Sequence, residues 1–124
     1  MCLNTVLYNS RKEALEAKKK PLVAKKDIPV YKVLTITNEP PYYCRFKYKQ
    51  GFRYTEKKLG IVVEVHGQYY KLIGKRGLHA CLNKKAAAAH TQYSDKIVKM
   101  YIPKGAKYYK GIDDDVITTD LVWY

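Results

Sequence analysis

The sequence is short of cysteine, of acid and of the two purely hydrocarbon or indole aromatics. Cys2, Cys44 and Cys81 are odd in number and form no C-x-x-C pair, so neither a disulfide framework nor a structural zinc site is suggested. Met1 to Tyr8 lacks a basic lead, and no run reaches the ~18 apolar residues of a membrane span. Neither a secretory signal nor a membrane partner is expected, and a reduced, cytoplasmic setting follows. His66, His79 and His90 fall outside any H-E-x-x-H pattern, so no metal or cofactor is expected.

What is present is tyrosine and positive charge. Thirteen Tyr stand beside two Phe and one Trp, and 24 Lys and Arg face 11 Asp and Glu, a net charge of +13 on 124 residues. A chain of this length suits one domain. All 24 bases and seven of the acids lie within residues 1–110, whereas residues 111–124 carry four Asp and no base. Such a field on a small body favours a polyanionic partner, nucleic acid or nucleoprotein first among them.

The order of local signals predicts an α+β domain with a mainly antiparallel sheet of five to seven short strands and two short helices. Ser10-Arg11-Lys12-Glu13 has the S-x-x-E form of a capped helix start, and Pro21 ends the helix, with residues 1–27 read as a loosely docked helical arm. Ile28 to Thr37, Lys96 to Ile102 and Val116 to Tyr124 read as β-rich, Ala106 to Lys110 as extended, and Phe52 to Tyr54 as a continuation, past Gly51, of the run before it. His66-Gly67 between Ile61–Val65 and Gln68–Ile73 predicts a hairpin. Asn83 is placed to cap a short helix through Ala86–Ala89. Connections this short do not allow parallel crossovers.

Cys44, Phe46 and Tyr48 alternate with Arg45, Lys47 and Lys49, giving one apolar and one cationic row in either a half-exposed strand or an extended loop. Gly74-Lys75-Arg76-Gly77 reads as a turn whose amides and cations face an anion. With its flanking Ile73 and Leu78 this stretch resembles the I-G-x-x-G core of a KH domain, which would clamp a nucleic-acid backbone; the residues before it, however, are β-rich where that family has a helix.

Two wider resemblances exist. Ile28-Pro29-Val30-Tyr31-Lys32-Val33, then Gly77-Leu78-His79-Ala80, then the I-P-K-G-x-x-Y-Y-x-G segment from Ile102 to Gly111, resemble the motif order of small phage and prophage accessory proteins of no established activity. That resemblance implies action in a host cytoplasm, among DNA, RNA and host defence proteins. The strand with Tyr31-Lys32 followed by G-L-H-A is also loosely similar to ADP-ribosyltransferase-like folds, which would imply a late Glu; here the only late acids are Asp113, Asp114, Asp115 and Asp120. His79 and Cys81, two apart on a strand, share a face and form the one candidate Cys-His nucleophile pair, with core packing as the alternative.

Tyr42-Tyr43, Tyr69-Tyr70 and Tyr108-Tyr109 would each turn one ring to either face of a sheet, with Arg or Lys nearby. Rings that stack on bases, together with cations on phosphates, suit single-strand binding of low sequence preference. The expected interface is Arg45, Lys47, Lys49, Arg53, Lys75 and Arg76, assisted by Tyr69 and Tyr108. The rival readings are a phage inhibitor docked on a host nucleic-acid or defence enzyme, and a transferase-like enzyme or its inactive relative.

Overall fold

The computed structural model describes residues 7–39, 47–89, 91 and 95–124. Among them lie two helices, α1 (Arg11–Lys18) and α2 (Lys84–Ala88). Ten strands accompany them: β1 (Leu22–Val23), β2 (Ile28–Leu34), β3 (Phe52–Thr55), β4 (Gly60–His66), β5 (Tyr69–Arg76), β6 (Leu78–Cys81), β7 (Lys96–Ile102), β8 (Lys107–Lys110), β9 (Asp115–Thr118) and β10 (Asp120–Trp123). The α+β class and the antiparallel sheet are as the sequence predicts. The strand count exceeds the expected five to seven because the run Val116 to Tyr124 breaks in two at Thr119, while Leu22–Val23 and Leu78–Cys81 also join the ladder.

Local chemistry explains the helix starts. Ser10 sits extended at the N-cap of α1 and its hydroxyl accepts from the Glu13 N–H at 3.2 Å, while the Glu13 carboxylate accepts from the Asn9 N–H. Asn83 caps α2 in the same way, through the Ala86 N–H at 2.7 Å. In the β4–β5 hairpin His66 pairs with Tyr69, so Gly67 and Gln68 make the turn, one residue later than the sequence suggests, with Gly67 at φ 66°.

The eight-stranded sheet runs β1-β8-β9-β6-β2-β7-β10-β3, and the hairpin forms a separate pair. Four strand steps separate β9 from β10, about 19 Å in a flat sheet. Only Thr119 separates them along the chain, a reach of about 7 Å from Thr118 to Asp120. The sheet must therefore curl until β7 and β6 flank one kinked strand, and its inner face becomes a closed core. Val30, Leu34, Leu78, Ala80, Met100, Ile102, Val116 and Leu121 fill it, with the Tyr48 ring laid across the end.

The outer face is covered in two places. α2 sets Ala87 against Val33 and Cys81, and α1 with the hairpin sets Ala14, Ile61 and Leu72 against Ile117. The Tyr109 hydroxyl donates to the Lys18 carbonyl oxygen, tying the end of α1 to β8.

Gly74-Lys75-Arg76-Gly77 is not a free turn, contrary to the sequence expectation. Its first three residues complete β5: Gly74 opposes Ile61 and Arg76 opposes Gly60, so Lys75 is the extra residue of a β-bulge. Gly77 follows at φ 147°, and a Cβ there would lie 2.5 Å from the Ile117 side chain and 2.8 Å from that of Leu59. Glycine is required by close packing, not by an anion.

Gly77→Ala combines backbone strain with a clash in the core and is expected to cost about 2–4 kcal/mol. Gly51→Ala, also at positive φ but facing open space, carries the backbone term alone, at about 1 kcal/mol. Urea midpoints of the two variants check this; equal losses would overturn the packing account.

Candidate nucleic-acid interface

The expected cations divide into a gathered group and a scattered one. Arg45 lies outside the described residues, as do the Tyr42-Tyr43 pair and Cys44. Lys47 and Lys49 are exposed on either side of the buried Tyr48. The run is held against the end of β10, where the Gly51 N–H donates to the Trp123 carbonyl oxygen and the Gln50 side chain to that of Tyr124.

Arg53, on β3, is half-exposed and stands 3.5 Å from the Asp120 carboxylate. Arg76 reaches the same edge through Glu56 at 2.7 Å. Lys47, Lys49, Arg53 and Arg76 are thus brought to the β3 side of the molecule. Tyr69 stands at the hairpin turn, and Tyr108 on β8 packs partly into the core. Surface pairs of this kind are worth about 0–1 kcal/mol, and both guanidinium groups keep more than half their surface in water.

The strand register assembles a second set of residues that no local sequence pattern marks. Directly opposed residues in an antiparallel ladder share a face. Arg53 opposes Val122, Val122 opposes Tyr101, and Tyr101 opposes Pro29, a row crossing β3, β10, β7 and β2. The neighbouring positions Tyr54, Leu121, Met100 and Val30 belong to the interior, so this row points outward. One step along, Tyr31 opposes Lys99 on the same outer face.

Tyr124 closes the set, its ring edge-on to Tyr101 with centroids 5.3 Å apart. The Lys99 ammonium lies 5.6 Å from the Tyr101 ring centre and that of Lys84, from α2, lies 5.9 Å from Tyr31. Asp27 stands at the margin, accepting from the Tyr124 hydroxyl at 3.5 Å. Asp120 is engaged by Thr55, Thr119 and Arg53. Three tyrosines and three cations therefore share one stretch of outer sheet. Of the residues expected from sequence, only Arg53 is among them.

Beneath this face lies a buried amine. Lys32 alternates with Val30 and Leu34, so it points inward; it is 5% exposed. Its ammonium donates to the His79 carbonyl oxygen at 2.5 Å and lies 5.1 Å from the Tyr48 ring centre. Burial lowers the Lys32 pKa to about 8, against a smaller raising effect from Cys81. His79 is lowered to about 4, by burial first and by Lys32 second. Burial, then Asp115, raises the Cys81 thiol to about 11.

These directions decide against nucleophilic chemistry at His79 and Cys81. A Cys-His nucleophile needs a thiolate beside an acceptor for its proton. Here the Cys81 thiol keeps its proton beside an imidazole whose basicity burial has weakened, and Cys81 packs with Val33 and Ala87. Asp115, read from sequence as part of a solvated turn, is instead a buried strand residue of β9. Among the described residues no group of three or more His, Cys, Asp or Glu is placed to hold a metal. No described helix is long and apolar enough to cross a membrane. No family model, curated protein or solved structure matches the chain.

The interior titrations set a pH profile for stability. Lys32 titrates near 8 when folded and 10.5 when unfolded, so the unfolded chain holds the extra proton between these values and stability rises with pH. From about pH 9, its ordinary value, the unfolded Cys81 thiol loses its proton before the folded one and opposes that rise, which leaves pH 8–9 as the clear window. His79 acts on the acid side: stability is lost as pH falls from 6.5 through 4. Relative to Lys32→Met, the natural chain is expected to gain about 1 kcal/mol between pH 8 and 9, measured by urea unfolding. Parallel profiles for the two proteins would remove Lys32 as the cause.

Proposed function

We propose that this protein binds nucleic acid through the Lys/Arg/Tyr surface formed by the outer face of β3, β10, β7 and β2 together with the Lys47–Arg53 run. The observation that carries the reading is the register itself. It sets Arg53 and Lys99 among Tyr31 and Tyr101 on one stretch of sheet, with Tyr124 following β10 against Tyr101 and Lys84 reaching over from α2, in a chain of net charge +13. Lys47 and Lys49 extend the positive field past Tyr124. Phosphate contacts supply most of the affinity, as counterion release requires. The motif order shared with phage and prophage accessory proteins supports a role in a host cytoplasm, where DNA, RNA and nucleoproteins are all present.

The binding is expected to weaken as salt rises, with a logarithmic slope of about −0.7 to −0.9 per phosphate contacted. Lys84→Glu with Lys99→Glu is expected to lower affinity by about tenfold or more and to flatten the slope by about two contacts. Lys12→Glu, on the exposed side of α1, removes the same charge per site elsewhere and serves as the control. Filter binding across a salt series checks it. Equal losses from Lys12→Glu and from either sheet-face reversal would mean that only net charge matters and would overturn this face as the interface.

A further inference from the structure

The geometry points to unpaired nucleic acid, with its bases stacked on Tyr101, Tyr124 and Tyr31, as the substrate of this surface; the inference rests on the nucleic-acid reading above and narrows it. Tyr31 and Tyr101 are diagonal neighbours on β2 and β7, since Tyr31 opposes Lys99 and Tyr101 opposes Pro29. Diagonal neighbours in a ladder stand about 7–8 Å apart. Rings rooted this far apart are offset from the ~3.4 Å spacing of successive bases in a stacked duplex strand. They match bases drawn apart, each with an open face to cover. In a duplex those faces are already covered by neighbouring pairs.

Tyr124 offers the freest ring of the three, since Tyr31 and Tyr101 are half-buried and Tyr31 packs partly against Val33, Cys81 and Ala87 under α2. Tyr124 is 64% exposed, and it meets Tyr101 edge-on at 61° rather than face to face, so the contact does not consume the flat face of both rings. Lys84 lies over the Tyr31 ring and Lys99 over that of Tyr101, so each ammonium covers one ring face and stands close to where the phosphate of a nucleotide stacked on the neighbouring ring surface would run. Arg53 is oriented by Asp120 at the β3 end of the row and supplies the third cation. Rings set among cations describe stacking with weak sequence preference.

The test compares three probes on the full chain by fluorescence anisotropy at low salt: oligothymidine of roughly 12 nucleotides, an abasic strand of the same length, and a duplex of the same length. The natural protein is expected to bind oligothymidine at least about tenfold more tightly than either the abasic strand or the duplex. Tyr101→Leu and Tyr124→Leu should each remove about five- to tenfold of the oligothymidine affinity while leaving abasic binding unchanged; Tyr101→Phe and Tyr124→Phe should retain it. Abasic strand bound as tightly as oligothymidine, or duplex bound more tightly, overturns the stacking inference while leaving the phosphate reading standing. Absence of binding to all three probes overturns the proposed function itself. Because the abasic comparison uses only the natural protein, the result does not depend on any variant folding.

Discussion

Thr119 forces two distant parts of one sheet together, and the remaining architecture follows from that constraint. Its N–H donates to the Lys107 carbonyl oxygen and its own carbonyl accepts from the Glu56 N–H, so the kink is gripped from β8 on one side and from the end of β3 on the other. The residues on either side make the bend specific. The buried Thr118 hydroxyl accepts from the Asp120 N–H, and the Asp120 carboxylate takes hydrogen bonds from Thr55 and Thr119 as well as the Arg53 contact. A buried carboxylate left unpaired would be expensive; one met by two hydroxyls and a guanidinium instead fixes where the strand turns. Arg53 therefore has a structural partner before it has any ligand, and its side chain is oriented by the same bend that closes the core.

Closure also explains the interior lysine. Curling the sheet leaves a core lined by β2, β6, β7, β9 and β10, and period-two alternation from Val30 to Leu34 sends Lys32 into it. The amine is tolerated because the chain offers it a carbonyl oxygen from His79 and the face of Tyr48, while burial pulls its proton affinity down. Tyr48 is held in turn against Tyr54, with ring centres 4.6 Å apart, and the Tyr54 hydroxyl accepts from the Lys49 N–H at 2.5 Å. One buried cation thus links the core to the Lys47–Lys49 run on the surface. Removing it would change the seating of that run as well as the pH profile.

Where a signal is local, the sequence carries it. Ser10 and Asn83 cap their helices, Gly67 turns the hairpin, and Lys96–Ile102 is a strand over the residues its composition marks. Gly74-Lys75-Arg76-Gly77 misleads because glycine beside lysine has the composition of a turn, whereas Gly77 answers to Ile117 and Leu59, which are remote or belong to another element. The adjacent tyrosines divide between faces as the sequence predicts, yet that does not mark the ring cluster. A pair on a strand always divides its rings between two faces, so Tyr108 and Tyr109 enter different clusters, and adjacency says nothing about which rings meet. Tyr31, Tyr101 and Tyr124 stand apart in the chain; the register makes Tyr31 and Tyr101 neighbours, and the end of β10 brings Tyr124 against Tyr101. The inward Lys32 was legible in principle, since Val30 and Leu34 flank it at two-residue spacing.

Curvature and charge act together on the outer face. On the convex side of a curled sheet, side chains splay away from one another, so rings that would crowd on a flat ladder stand apart and cations between them keep access to water. The covering elements set the limits of that open area: α2 hides Val33 and Ile97, and α1 with the hairpin hides Ile117. Between them β7 and β10 leave Tyr101 and Val122 half-buried beside the edge strand β3. A smaller apolar cover would leave the core of the second layer wet; a larger one would bury the tyrosines. The placement of two short helices and one hairpin therefore decides that a protein with a strong positive field also presents aromatic side chains on the same face.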